Sequence, residues 1–178
     1  MSENVYLVGA ARTPIGSFQG SLASLTAPEH GAHAVNAALE HASMAGEKID
    51  EVIMGNVVSA GLKQAPARQA MRIAGLPDGV GATTINKVCG SGMKATMLAT
   101  DLIRAGSAQR VIAGGMESMS NAPYVMQKAR SGLRMGHAEM KDTLFLDGLE
   151  DAESGGSMGS FAQQTADDYQ LTREAMDA

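Results

Sequence analysis

Residues 86–95 read Asn86-Lys87-Val88-Cys89-Gly90-Ser91-Gly92-Met93-Lys94-Ala95. Residues 81–88 contain Thr83, Thr84, Ile85 and Val88, which favours a strand that runs up to Cys89. After it, apolar residues recur at helical spacing as far as Ile103, and Gly106 predicts the end of that helix. The segment therefore predicts a strand followed directly by a helix, with the single cysteine of the chain at the junction.

The same alternation of strand and helix extends outward on both sides of this junction. Strands are predicted at residues 5–10, 52–58, 81–88 and 110–115. Between them, helices are predicted from Ala27, with Thr26 as N-cap, over residues 65–74, and after Cys89. The order βαβαβαβ predicts an α/β fold with right-handed crossovers and a mostly parallel sheet covered by helices.

The pattern changes after residue 119. Residues 120–160 are rich in Gly, Met, Ser and charge and have no clean period, which indicates a functional excursion or a subdomain. Helices are predicted at residues 160–169 and from Arg173, with Thr172 as N-cap. No Gly, Pro or cap closes the last one, so we expect it to continue past Ala178. We thus predict a core over residues 1–119 and a second region over residues 120–178.

Composition excludes several classes of function. The net charge of −5 gives no basic field for nucleic acid, and three Tyr, three Phe and no Trp leave little for stacking on bases. No apolar run approaches the ~20 residues that span a bilayer. The single cysteine excludes an internal disulfide, and the polar start Met1-Ser2-Glu3-Asn4 has no leader pattern. We therefore expect a cytoplasmic protein.

The predicted surroundings of Cys89 suit nucleophilic chemistry. The first backbone amides of a helix lack partners and carry partial positive charge, which stabilises a thiolate. Gly90 and Gly92 leave the approach to the sulfur free of side chains, and the same amides can bind the oxyanion of an acyl-transfer transition state. Most free cysteines are buried structural thiols. Local sequence alone leaves both interpretations of Cys89 open. We expect Cys89 to lie at a helix N-terminus and to be largely shielded, with its sulfur near free backbone amides.

Several sequence blocks resemble the thiolase family. They are NKVCGSGMKA at 86–95, GGMESMSNAP at 114–123, ARTPIGSF at 11–18, QAPARQA at 64–70, DGL at 147–149 and MG at 158–159. Together they cover the chain in the order of the family. The resemblance implies the thiolase fold, in which two similar halves form alternating αβαβα layers and a loop domain is inserted after the fourth strand of the first half. Residues 1–119 match that half, and residues 120–178 match the start of the loop domain.

The resemblance also implies roles for particular residues. Cys89 takes the acyl group as a thioester, and its backbone N–H helps to form an oxyanion hole. Leu149, Ser157 and Met158 match loop-domain positions that line the acyl and pantetheine end of the site. Ser157 stands where most short-chain biosynthetic members have His, and Thr96 where an aliphatic residue is common. Acyl-chain preference therefore stays open.

Members of this family condense two acyl-CoA molecules, or cleave a 3-ketoacyl-CoA with CoA, by a ping-pong route in fatty-acid metabolism. The resemblance implies coenzyme A thioesters as substrates, no further cofactor, and assembly as a homodimer or homotetramer. It also implies a catalytic His in a Gly-His-Pro motif and a second Cys in a Cys-x-Gly-Gly-Gly motif. Neither motif occurs in these residues, so we expect both in a second half of the polypeptide.

Other interpretations stay open at this point. One is an inactive truncated or structural half, and another is a condensing enzyme similar to ketoacyl or hydroxymethylglutaryl synthases, although GGMESM and CGSG favour thiolase. His30 and His33 lie three apart with Glu29 beside them, but two candidate ligands without a third favour a solvated face over a metal site. We expect no metal.

Overall fold

A computed structural model describes residues 4–178. Residues 1–3 belong to the polar start from which the lack of a leader was predicted, and they lie outside the described part. The chain divides into two compact units, Met1–Ala122 and Pro123–Ala178. The boundary predicted from the sequence, between residues 119 and 120, lies three residues before the one in the structure.

The first unit is built on a three-stranded parallel sheet. Its strands are β1 (Glu51–Gly55), β2 (Gly81–Ile85) and β3 (Val111–Gly115), in the order β2-β1-β3. Glu51 at the start of β1 is in register with Gly81 on one side and Val111 on the other. The parallel sheet predicted from the alternating pattern is confirmed, although β1 and β2 each end three residues before the predicted ends.

Three helices cover this sheet, and each was predicted to within a few residues. They are α1 (Ala27–His41), α2 (Pro66–Ile73) and α3 (Ser91–Arg104). The start of α1 is fixed by the Glu29 carboxylate, which accepts hydrogen bonds of 2.7 Å from both the amide and the hydroxyl of Thr26. These bonds hold the pKa of Glu29 below its usual value.

The main core lies on one face of the sheet. Val52 and Met54 point to this face, where α2 packs on the sheet. Helix α1 packs against α2 and adds Ala27 and Val35 to the same core. The buried residues of the cluster are Ala27, Val35, Ile49, Val52, Met54, Ala67, Ala70, Met71, Leu76, Val80 and Met116. Because side chains alternate along a strand, Ile53 faces the opposite side, where α3 packs.

Helix α3 turns its small residues inward. Ser91, Ala95 and Ala99 are buried at i, i+4 and i+8, which lets the helix lie close to the sheet. Met93 and Met97, which belong to the predicted apolar repeat, are exposed by 75% and 54%. The helix itself is confirmed, but its buried side is the row of small residues.

The predicted strand at residues 5–10 is wrong for this structure. The segment is not paired with any strand, and Tyr6, Leu7 and Val8 are exposed by 73%, 88% and 60%. It is held instead through Gly9, where an added Cβ would come within 2.5 Å of the Ala38 carbonyl oxygen in α1. The physical reason is that an apolar run becomes a strand only when a neighbouring strand accepts its hydrogen bonds, and none lies beside it among the described residues.

The second unit contains short elements. β4 (Tyr124–Met126) and β5 (Met140–Asp142) form an antiparallel pair, and a π-helix follows at Phe145–Leu149. Two helices come last, α4 (Met158–Asp168) and α5 (Arg173–Asp177). The predicted helix at 160–169 is confirmed and starts two residues earlier. Thr172 caps α5 as predicted, since its hydroxyl accepts from the Ala175 amide at 3.2 Å.

Candidate active site

A tight turn of five residues joins β2 to α3 and carries Cys89. Three hydrogen bonds from side chains fix its backbone. The side-chain carbonyl oxygen of Asn86 accepts from the Val88 backbone amide at 2.9 Å. The Ser91 hydroxyl accepts from the Lys87 amide at 2.8 Å and donates to the Val88 carbonyl at 2.6 Å. The predicted position of Cys89, between a strand and the first turn of a helix, is confirmed.

Cys89 is exposed to solvent. We expected a largely shielded thiol, and this expectation is wrong for the structure. Shielding needs a layer of chain over the outer side of the turn, and none of the residues that the structure describes forms such a layer. Val88 and Met93 beside the cysteine are also exposed, by 50% and 75%. The thiol is therefore reachable from solvent and is flanked by apolar side chains.

Free backbone amides lie next to Cys89 in the chain. Within residues 4–178, the amides of Cys89, Gly92 and Met93 donate to no acceptor, and no side chain caps α3. The last two belong to the first helical turn, whose amides have no partner inside the helix. This arrangement supplies donors for an anion or for an oxygen that becomes negatively charged.

The glycines around the thiol are not needed for packing. A Cβ added at Gly90 would meet only the Lys87 carbonyl oxygen, at 3.5 Å, and one at Gly92 would lie 3.8 Å from its nearest neighbours, both ordinary contacts. Gly90 has an ordinary negative φ of −85°. Neither backbone strain nor crowding explains them, which supports the interpretation that they keep the approach to the sulfur open.

A buried polar group joins the carboxyl ends of the three strands. Asn56 follows β1 and is 2% exposed. Its backbone amide donates to the Ile85 carbonyl of β2 at 3.0 Å. Its side-chain nitrogen donates to Glu117, beyond β3, at 2.7 Å. The Glu117 carboxylate also accepts from the amides of Val57 at 2.8 Å and Val58 at 3.1 Å. Burial raises the pKa of Glu117 despite these bonds.

From the sequence, Glu117 stood out only as part of the motif at residues 114–123, and no role was predicted for Asn56. The two residues are 61 positions apart, so local pattern does not connect them. The available signal was a polar residue directly after each of two neighbouring parallel strands, since the carboxyl ends of parallel strands meet at one edge.

The other predicted substrate-binding residues lie in the second unit, around one closed loop. Leu149 ends the π-helix, and Ser157 caps α4, accepting from the Ser160 amide at 3.2 Å. Between them the loop is closed by a bond of 2.8 Å from the Asp151 amide to the Gly156 carbonyl. Met158 is the first residue of α4 and is 41% exposed. Leu149 therefore lies at one end of this closed loop and Ser157 and Met158 at the other, whereas Cys89 belongs to the first unit.

Two negative findings apply to the described residues. Across positions 4–178, no group of three or more His, Cys, Asp or Glu side chains is arranged to hold a metal ion. Over the same span, no helix combines the length and apolar character needed to cross a bilayer.

The parallel sheet, the Cys89 turn at the start of α3, and the sequence motifs around it define a thiolase-type domain. The sequence model of the thiolase N-terminal domain matches residues 5–178, and the chain belongs to the thiolase family.

Among its relatives, the acetyl-CoA acetyltransferase of Pseudomonas aeruginosa is 53% identical over 176 residues, which are 99% of this chain and 45% of the relative. The acetyl-CoA acetyltransferase of Cupriavidus necator is 53% identical over 98% of this chain and 44% of its own length. That of Escherichia coli is 51% identical over 98% and 45%, respectively. The chain spans about half the length of the curated relatives it matches.

Proposed function

We propose that the protein to which this chain belongs is an acyl-CoA acyltransferase of the thiolase type, and that Cys89 carries the acyl group. The observation that supports this most is the combination at the β2–α3 turn. An accessible thiol is followed by glycines that packing does not require, and three amides without acceptors lie at and just after it. A structural thiol would need none of these features.

In the proposed reaction, the Cys89 thiolate attacks the carbonyl carbon of an acyl-CoA. The carbonyl oxygen becomes an oxyanion, and preorganised amides such as that of Cys89 stabilise it. Collapse of this intermediate expels CoA as a thiol and leaves an acyl thioester on Cys89. In the synthetic direction, the acyl group then passes to the α-carbanion of a second acyl-CoA. In the thiolytic direction, the Cys89 thiolate instead attacks the 3-keto carbon of a 3-ketoacyl-CoA, and the bond between that carbon and the α-carbon breaks. The shortened acyl-CoA leaves once its α-carbon is protonated, and the acyl group on Cys89 passes to CoA.

Residues 1–178 supply only part of this chemistry. The thiol proton must be taken up and returned, and the second acyl-CoA must lose a proton from its α-carbon. We assign these steps to the His and Cys of the two family motifs, which belong to the remainder of the polypeptide. General acid–base groups typically contribute about 10²–10⁴-fold each, so residues 1–178 alone should be inactive.

The proposal extends to substrate contacts and assembly. Leu149, Ser157 and Met158 would contact the acyl group and pantetheine arm of CoA thioesters, a substrate class supported by the names of the relatives. The thioester is already activated, so no further cofactor is required. A catalytic thiol that must stay reduced fits the cytoplasm. Assembly as a homodimer or homotetramer is part of the same proposal.

The test measures thiolysis of acetoacetyl-CoA by CoA. We expect turnover by the full-length protein, none by residues 1–178 alone, and recovery when residues 1–178 are co-expressed with the unmatched second part of a relative. Cys89→Ala in the full-length protein should abolish turnover. Thiolysis by residues 1–178 alone would show that the catalytic base lies within them. Full-length protein that condenses acyl groups but performs no thiolysis would favour the condensing enzymes similar to ketoacyl synthases.

A further inference from the structure

Val88, directly before Cys89, has a backbone conformation that its side chain disfavours. Its φ is +47°, in the left-handed region. For a β-branched residue this is a genuine outlier, because the side chain crowds the backbone there. Such a conformation persists only when its surroundings impose it, and strained residues of this kind concentrate at functional sites.

Ser91 provides two of the contacts that hold Val88 in the left-handed conformation. Its hydroxyl accepts from the Lys87 amide at 2.8 Å and donates to the Val88 carbonyl at 2.6 Å, so it bonds to the backbone on both sides of the strained torsion. The donor and one acceptor position of the hydroxyl are therefore both used by the turn. Ser91 is only 4% exposed, which shields these bonds from water. The remaining side-chain contact comes from Asn86, which is exposed.

Packing against β1 fixes Ser91 in turn. Gly55, the last residue of β1, lies so close that an added Cβ would be 2.5 Å from the Ser91 Cβ and 3.0 Å from its carbonyl carbon. The central strand of the sheet therefore sets the position of the Ser91 backbone, and Ser91 sets the conformation of Val88. This chain of contacts connects the central strand of the sheet to the residue before the nucleophile.

We propose that Ser91 is a positioning residue for acyl transfer. Its hydroxyl holds Val88 in the left-handed conformation and so fixes the direction in which the Cys89 thiol is presented relative to the free amides of α3. The inference rests on the proposed function of Cys89. Without the hydroxyl, the turn relaxes toward negative φ and the thiol leaves its reactive position.

The test is single-turnover acylation of the full-length protein by acetyl-CoA. We expect Ser91→Ala to lower the maximal acylation rate on the order of tenfold, the scale set by the strain of a left-handed residue, with the half-saturating acetyl-CoA concentration unchanged. The matched control is Thr100→Ala. Thr100 is a hydroxyl residue of the same helix whose hydroxyl donates to the Thr96 carbonyl at 2.9 Å and not to the turn. Its loss should leave the rate unchanged.

A second variant separates positioning from general destabilisation. Glycine adopts a positive φ without strain, so Val88→Gly in the Ser91→Ala background should restore most of the acylation rate. If Ser91→Ala alone fails to fold, the double variant should fold and acylate for the same reason. Wild-type acylation rates in Ser91→Ala, or no recovery in the double variant, would overturn the inference. Absence of an acyl group on Cys89 in the unaltered protein would instead overturn the proposed function.

Discussion

At the scale of single residues, Glu117 both cross-links the carboxyl ends of β1 and β3 and has a raised pKa. Its carboxylate ties the backbone after β1 to the end of β3, and burial raises its pKa. A carboxyl whose pKa is higher in the folded state than in the unfolded state binds more protons when folded. The contribution of its protonation to stability is therefore present at low pH and lost as the pH rises above the unfolded value of 4.5.

Glu117→Gln tests this assignment. The amide cannot ionise, so the free energy of unfolding of the wild type minus that of the variant should fall as the pH rises from 4.5 toward neutrality. At neutral pH the variant should still be less stable, by about 1–3 kcal/mol, because its NH₂ group cannot accept from the Val57 amide. Urea unfolding of both proteins across this pH range measures the difference. A difference that grows with pH would show that the carboxylate is the preferred buried form.

The sequence predicts sites that are marked by a local pattern better than contacts between residues far apart in the chain. Cys89 was found because its signal is local: a change of period, two glycines and a family motif within ten residues. Its exposure was not predicted, since burial depends on which other elements cover the turn. The Asn56–Glu117 contact was missed because it forms only after the three strands align.

At the scale of elements, the close approach of β1 to α3 depends on one glycine. An added Cβ at Gly55 would meet the Ser91 Cβ at 2.5 Å and the Gly92 nitrogen at 3.2 Å, so a backbone must move. We expect Gly55→Ala to destabilise the protein by about 1–3 kcal/mol, as overpacking typically does, and to slow acylation of Cys89. Gly79→Ala is the matched control, because no atom lies within 4 Å of its added Cβ. Thermal unfolding should show a lower midpoint temperature for Gly55→Ala only. Equal stability of Gly55→Ala and Gly79→Ala would contradict this account of the β1–α3 contact.

Helices were predicted more accurately than strands for a physical reason. A helix satisfies its hydrogen bonds within itself, and Thr26, Pro28, Glu29 and Thr172 mark the helix starts in the sequence. A strand needs a partner elsewhere in the chain. Residues 5–10 have the composition of a strand but no partner among the described residues, whereas residues 51–55 have one on each side.

At the scale of the whole molecule, the sheet of the first unit is incomplete on one side. A cleft of about 590 Å³ separates residues 4–11 from β3. β3 is an edge strand, so its backbone on this side is unpaired, and the apolar residues 6–8 across the cleft are exposed. Exposed edges and apolar runs of this kind are usually covered in a stable protein. Because the relatives are about twice as long, we predict that a strand from the rest of the polypeptide fills the cleft.

Hydrogen exchange tests this prediction. The amides of residues 4–11, and those amides of residues 111–115 that point away from β1 toward the cleft, should exchange rapidly in residues 1–178 alone and become protected in the full-length protein. The central strand, residues 51–55, is the internal control and should be protected in both. Rapid exchange at both sides of the cleft in the full-length protein would show that no strand occupies it.

The most direct test of the central claim is to locate the acyl group. The full-length protein is mixed briefly with acetyl-CoA in the absence of free CoA, quenched in acid, digested and mapped by mass spectrometry. We predict a mass increase of one acetyl group on the peptide that contains Cys89, its disappearance when CoA is added before the quench, and no acetylated peptide in Cys89→Ala. Turnover accompanied by acetylation of a different residue, or by none, would contradict the assignment of Cys89 as the nucleophile.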